Sequence, residues 1–77
     1  APAQRYPGDW RVMRGLTQPQ LAANVHIATA ILQRIERGEY QLSDANAAAL
    51  AAALGVTVDE YRAAYQRARE RPAGAPS

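Results

Sequence analysis

Apolar residues recur at intervals of three and four along most of the chain, which is the spacing of helices with one buried face. Between residues 16 and 38 this pattern divides into two short segments, and it predicts helices over about 18–25 and 28–37. Thr17 and Gln20 have the spacing of a capping box, in which two side chains satisfy backbone groups at a helix start. The pattern therefore predicts two consecutive helices joined by a tight turn.

A short helix is predicted before this pair. Asp9 can cap a helix that runs to about Arg14, and the proline and glycine just before Asp9 favour irregular chain. We therefore expect a flexible arm over residues 1–8 and a helical domain over residues 9–71.

Two more helices are predicted after the pair. Ser43 can cap a fourth helix over about 44–54. Thr57 and Glu60 have the spacing of a second capping box, which opens a fifth helix that ends at the proline of the tail. We expect this tail, residues 72–77, to be disordered because it is rich in proline and small residues. The fold class predicted is all-α, with five helices around one core.

The apolar positions also predict which side chains form that core. Leu32 and Ile35 are three residues apart, so they share one face of the third helix and leave the other face to polar residues. The residues expected inside are Trp10, Met13, Leu16, Leu21, Val25, Ile27, Leu32, Ile35, Leu50, Leu54, Val56 and Tyr61.

The composition narrows the possible chemistry. The chain has 77 residues, no cysteine and one histidine, so a disulfide or a metal site of several thiolates or imidazoles is not expected. It has neither a phosphate-binding glycine loop nor a converging acid cluster, so neither an enzyme nor a cofactor is predicted. No apolar run suits a membrane span or a secretory signal, and we expect a cytoplasmic protein. All nine basic residues are arginine, but a net charge of +2 favours nucleic acid only weakly.

The segment LTQPQLAANV, followed by an apolar helix that ends in RIERG, resembles the lambda-repressor/Cro-type (Xre-like) helix-turn-helix family. The resemblance continues through Ser43 and LAAALGVTVDE, and covers about residues 11–61. It implies a compact five-helix lambda-repressor-like DNA-binding domain with a shortened first helix. It also implies that the third helix enters the major groove of double-stranded DNA.

The resemblance assigns DNA contacts to the second and third helices. Gln18 matches a position that contacts a phosphate or a base edge, and Thr17 offers its backbone N–H near the same phosphate. Arg37 lies near the DNA backbone at the end of the third helix. Arg11 and Glu36 match a partly buried ion pair between the first and third helices. The base-contacting positions of the family fall on Ala28, Thr29, Ala30, Gln33 and Arg34.

Three residues depart from the usual family pattern. His26 stands in the turn where glycine is common, so it must tolerate a left-handed backbone. Ala28 begins the third helix where serine or threonine is common, at a cost of ~1 kcal/mol. Glu39 follows the third helix where the family often has a basic residue. In addition, Ala28, Ala30 and Ile31 make the start of the third helix unusually apolar. These departures argue against tight, sequence-specific DNA binding.

Two functions therefore stay open. The first is a sequence-specific transcriptional regulator, a bacterial or phage repressor or an antitoxin that represses its own promoter. It would act as a homodimer on DNA, with Tyr65 and Ala68 on the apolar stripe of the fifth helix as the candidate dimer contact. A domain outside this chain could form the dimer instead. The alternative is a protein-interaction module on the same fold, with a protein partner at the apolar start of the third helix.

Overall fold

The computed structural model describes residues 5–70, and within that range five α-helices and no strand are present. The all-α class predicted from the sequence is therefore confirmed. The expectations for residues 1–4 of the arm and for the tail 72–77 lie outside the described residues. The helices are α1 (Pro7–Met13), α2 (Gln18–Asn24), α3 (Thr29–Glu36), α4 (Asp44–Leu54) and α5 (Val58–Glu70).

Side-chain caps define the starts of α2, α4 and α5, as predicted. Thr17 Oγ1 accepts from the Gln20 N–H at 3.2 Å, and Gln20 Oε1 accepts from the Thr17 N–H at 2.8 Å. Thr57 and Glu60 repeat this pair at 3.0 and 2.9 Å, and the donated backbone N–H of Thr57 lowers the pKa of Glu60. The hydroxyl of Ser43 caps α4 by accepting a backbone N–H. These caps satisfy backbone donors that each helix start leaves unpaired.

The start of α1 differs from the sequence prediction. The helix begins at Pro7, where proline suits the first helical position, and the carboxylate of Asp9 accepts the backbone N–H of Tyr6 at 2.8 Å. The prediction of irregular chain over Pro7 and Gly8 was therefore wrong. A Cβ on Gly8 would lie 3.1 Å from Oε1 of Glu36, so glycine lets α1 approach α3 closely.

The core lies between the helices and contains most of the large apolar residues that were predicted there. Trp10 is buried, and its ring stacks on Tyr61 with 6.1 Å between ring centroids. Met13 is 58% exposed, so its assignment to the core was wrong. The predicted residues without exposure are Leu21, Leu32, Ile35, Leu50, Leu54 and Tyr61. The partly buried ones that pack against them are Leu16, Val25, Ile27 and Val56.

Small side chains form a part of the core that the sequence analysis missed. An alanine at a helix contact lets two helix backbones approach closely, and α4 and α5 form the most extensive helix contact of the structure. The buried residues that were not predicted are Pro7, Ala22, Leu42, Ala47, Ala51, Ala64, Tyr65 and Ala68.

The second half of α5 lies over the loop that follows α3. Tyr65 is 7% exposed, and its hydroxyl donates to the backbone oxygen of Tyr40 at 2.5 Å. Gly38 has φ +74°, and a Cβ there would lie 2.6 Å from the backbone nitrogen of Arg69 and 2.8 Å from the carbonyl carbon of Ala68. Tyr65 and Ala68 are thus covered by the chain itself. The prediction that they form a dimer contact is therefore wrong.

Candidate nucleic-acid interface

The turn between α2 and α3 has a left-handed residue at His26, with φ +58°. Within residues 5–70 it is the only residue other than glycine with a positive φ. A left-handed residue just after a helix end terminates the helix and changes the direction of the chain. Glycine is favoured at this position because it has no Cβ. The left-handed backbone predicted for His26 is therefore confirmed, and it directs the chain from α2 into α3.

The helix α3 has an inner face in the core and an outer face in solvent. Leu32 and Ile35 have no exposed surface, as their spacing predicted. On the outer side Thr29 is half-buried, and the exposed residues are Ala28, Ala30, Gln33, Arg34 and Arg37. Positions 30, 33, 34 and 37 share one face of a helix, so the structure brings most of the predicted base-contacting residues together.

An ion pair attaches the C-terminal end of α3 to α1. Arg11 Nε donates to Glu36 Oε2 at 2.8 Å, and Arg11 Nη2 donates to Glu36 Oε1 at 3.2 Å. The third nitrogen, Nη1, donates to the backbone oxygen of Leu16 at 2.9 Å. The side chains of Arg11 and Glu36 are only 16% and 8% exposed. The pair implied by the resemblance is therefore present, and its two-point geometry holds α3 in one orientation.

Gln18 extends this network from Glu36 to the outer face of α3. Its Nε2 donates to Glu36 Oε1 at 3.0 Å, and its Oε1 accepts from Gln33 Nε2 at 3.2 Å. The sequence pattern did not predict this bridge. The sequence did contain one indication of it. Gln33 and Glu36 are three residues apart on α3, so a single side chain from α2 can reach both.

The two residues expected near a phosphate at the start of α2 are bonded within the chain. The backbone N–H of Thr17 donates to Gln20, so the contact predicted through this group is not available while the capping box is closed. The side-chain amide of Gln18 is engaged by Glu36 and Gln33. The phosphate contact of the Thr17 N–H stays a prediction that requires the capping box to open, and Gln18 has protein neighbours in this structure.

The two arginines of α3 and its end differ in their surroundings. Arg34 is exposed, and it makes neither an ion pair nor a side-chain hydrogen bond within residues 5–70. Arg37 Nε lies 3.4 Å from Glu39 Oε1, with both side chains 61% exposed, and such a surface pair is weak. Among the described residues, all the side-chain donors of Arg34 are therefore available to a ligand.

An open groove of about 520 Å³ lies beside Arg37, between α1, the start of α2 and the C-terminal half of α3. Gln18 and Gln33 line it together with Val12, which is 65% exposed. The bridging amides therefore face an open surface.

Within the described part of the chain, no helix is long and apolar enough to cross a membrane.

The helix-turn-helix family model matches residues 9–61, more than half of the chain. The chain therefore belongs to the helix-turn-helix family, of the lambda-repressor/Cro type that its motifs resemble. No curated protein and no solved structure matches it. The matched range spans the ion pair, the turn and the whole of α3. The chain thus has the DNA-binding helix-turn-helix domain of transcription regulators.

Proposed function

We propose that this chain is a sequence-specific transcriptional repressor or autoregulating antitoxin. It is of bacterial or phage origin in this proposal and acts in the cytoplasm. Residues 28–37, which contain α3, lie in the major groove of double-stranded DNA in this proposal. The observation that carries it is the exposed outer face of α3, where the guanidinium of Arg34 has no partner within residues 5–70.

The side chains of this face suit base edges in the major groove. An arginine can donate two hydrogen bonds to O6 and N7 of guanine, and such a pair contributes about 1–3 kcal/mol of discrimination. Thr29 and Ala30 can contact the methyl group of thymine. Arg37 would exchange its weak pair with Glu39 for a phosphate, which orients the protein without reading a base.

The repressor would act as a homodimer on DNA. One α3 spans only a few base pairs, and related helix-turn-helix proteins place two recognition helices about one turn of DNA, ~34 Å, apart. Sedimentation of the protein with the selected duplex tests this part. Two copies per duplex with a palindromic site support it, and one copy with no palindromic preference contradicts it.

Selection from a random DNA library, followed by electrophoretic titration at two salt concentrations, tests the sequence-specific function. We expect one enriched site and an affinity that falls steeply as salt rises. Arg34→Ala should lose preference at one base pair. Arg14→Ala, at an exposed residue just beyond α1, is the matched control and should keep it. Wild-type preference in Arg34→Ala would show that Arg34 does not read a base.

The protein-interaction alternative is favoured by the apolar start of α3. Ala28 and Ala30 are exposed and have no group that can hydrogen-bond a base edge, and Glu39 adds a negative charge after the helix. A library selection without any enriched site would exclude the sequence-specific function. Loss of a bound protein partner in Ala30→Glu would then establish the alternative.

A further inference from the structure

The hydrogen bonds from the partly buried ion pair to the surface of α3 have a fixed direction. The ionised carboxylate of Glu36 can only accept, so the group that Gln18 presents to it at 3.0 Å must be the NH2. The carbonyl oxygen of Gln18 then faces Gln33, and Gln33 must donate its own NH2 across the 3.2 Å contact. The charge of Glu36 thus sets the orientation of two amides in succession.

We propose that Gln18 is a positioning residue that holds the amide of Gln33 so that Gln33 reads adenine. This inference rests on the proposed function. The NH2 of Gln33 carries two hydrogens, so one N–H and the carbonyl oxygen remain after it donates to Gln18. That pair of groups matches N7 and N6 of adenine in the major groove. Gln33 is exposed and shares the outer face of α3 with Arg34.

The burial of the network supports a positioning role. The side chain of Glu36 is 8% exposed, Gln18 is half-buried, and Gln33 is exposed. The buried end is held by the two hydrogen bonds from Arg11, so it cannot reorient without losing them. A long glutamine side chain that is already held in its reading orientation loses less conformational freedom when it binds. The ion pair therefore orients a surface amide as well as α3.

This assignment differs from a phosphate contact by Gln18 in what it predicts. A residue that contacts phosphate contributes equally on every sequence, because the backbone carries no sequence information. A residue that positions Gln33 contributes at one base pair and nowhere else. The two roles therefore separate in a measurement of base preference, even where the loss of affinity on the preferred site is the same.

The experiment measures competition between the selected site and every single-base substitution of it. The variants are Gln18→Met, Gln33→Met and the double variant, in which methionine keeps the length of glutamine without its polar groups. We expect Gln33→Met to lose about 5- to 100-fold of preference at one adenine. Gln18→Met should lose preference at that same adenine, and the double variant should lose no more than Gln33→Met alone.

Two further variants keep the test interpretable. Gln66→Met is the matched control, because Gln66 lies exposed on α5 and donates to Glu70 rather than to α3. Gln18→Lys still donates to Glu36 but offers Gln33 no acceptor, so it tests the positioning role if Gln18→Met unfolds. It should lose preference at the same adenine, while its added charge raises affinity for all sequences. Circular dichroism shows which variants are folded.

Each remaining outcome overturns the proposal. An even loss across all sequences in Gln18→Met would assign Gln18 to a phosphate, and unchanged preference would give it no part in reading. Additive losses in the double variant would show two independent contacts. If Gln33→Met keeps its preference while Arg34→Ala loses it, the proposed function stands and this inference fails. If wild type selects no site, both fail.

Discussion

The two ends of α3 are held in opposite ways. At the C-terminal end, Glu36 forms two hydrogen bonds with Arg11, and Gly38 fits under the backbone of α5. At the N-terminal end, Ala28 has no side chain that can cap the helix, and His26 takes a left-handed backbone just before it. The stabilising contacts are concentrated at the C-terminal end. The missing cap and the strained backbone conformation lie at the N-terminal end.

This difference shows that the orientation of α3 is set from its C-terminal end. The N-terminal end is held by apolar packing, with Ile27 and Ile31 partly buried against the core. Substitutions at the C-terminal end should therefore lower the free energy of unfolding strongly. Substitutions at the N-terminal end that repair the cap or the turn should raise it.

The largest effect is expected from breaking the ion pair. Arg11→Met leaves the mostly buried carboxylate of Glu36 without its cation, and losing one partner of a buried pair costs about 3–5 kcal/mol. Denaturant unfolding measures the loss. Arg62→Met is the control, because Arg62 pairs with Asp44 at the surface and such pairs contribute about 0–1 kcal/mol. Similar small losses in both variants would contradict the role given to Arg11.

The next effect tests the contact of Gly38 with α5. Gly38→Ala should cost about 2–4 kcal/mol, because a left-handed alanine is strained and its Cβ would overlap the backbone at Arg69. Gly15→Ala isolates the strain, since Gly15 has φ +70° and open space where a Cβ would lie. It should cost only about 1–2 kcal/mol. Equal losses of unfolding free energy in the two variants would show that the backbone of α5 leaves room for a Cβ at position 38.

The features that could be predicted from the sequence are the local ones. A capping box depends on two residues three positions apart, so Thr17 with Gln20 could be identified without knowing any tertiary contact. Large apolar residues at helical spacing identified Leu32 and Ile35 for the same reason. The motif order then located α3 and its outer face.

The features that could not be predicted depend on parts of the chain far apart. Tyr65 is buried because the loop at Tyr40, 25 residues earlier, lies beneath it, and the stripe on α5 does not show this. Gln18 bonds to Glu36, 18 residues later, through the way α2 and α3 pack. Met13 lies three positions after the buried Trp10 at the last residue of α1, yet it is 58% exposed, so helical periodicity alone gave the wrong result.

A smaller effect tests whether α5 holds the loop after α3. Tyr65→Phe keeps the ring, whose centroid lies 5.9 Å from the guanidinium carbon of Arg69. It removes the hydroxyl, which donates to Tyr40 and accepts from Arg69 Nη1 in a long contact of 3.4 Å. It should cost about 1 kcal/mol, the usual net value of such a bond. The measurement is thermal unfolding.

Tyr61→Phe is the matched control on the same helix. The Tyr61 hydroxyl is buried and has no hydrogen-bond partner among the described residues, and burial raises its pKa, as does the nearby charge of Glu36. Removing this hydroxyl should leave stability unchanged or slightly higher. A larger loss in Tyr61→Phe than in Tyr65→Phe would reverse the assignment of the two hydroxyls.

At the N-terminal end, His26→Gly should stabilise the protein by about 1 kcal/mol. Glycine adopts φ +58° without the clash that a Cβ causes, although it loses more freedom on folding. His26→Ala separates strain from the imidazole, because alanine keeps the Cβ. Thermal unfolding should place His26→Gly above wild type and His26→Ala at or below it. A lower midpoint for His26→Gly would mean that the imidazole contributes a stabilising contact.

The smallest expected effect is Ala28→Ser, which should raise stability by up to ~1 kcal/mol. Ala28 has φ −68° and ψ 143°, the extended backbone of a helix cap, and it has no hydroxyl to accept a backbone N–H of the first turn. Ser43→Ala is the mirror variant, since Ser43 accepts the Asn46 N–H at 3.1 Å, and it should lose a similar amount. If Ser43→Ala is destabilised and Ala28→Ser is unchanged, the start of α3 is already satisfied by packing, and the contrast between its two ends is smaller than their caps indicate.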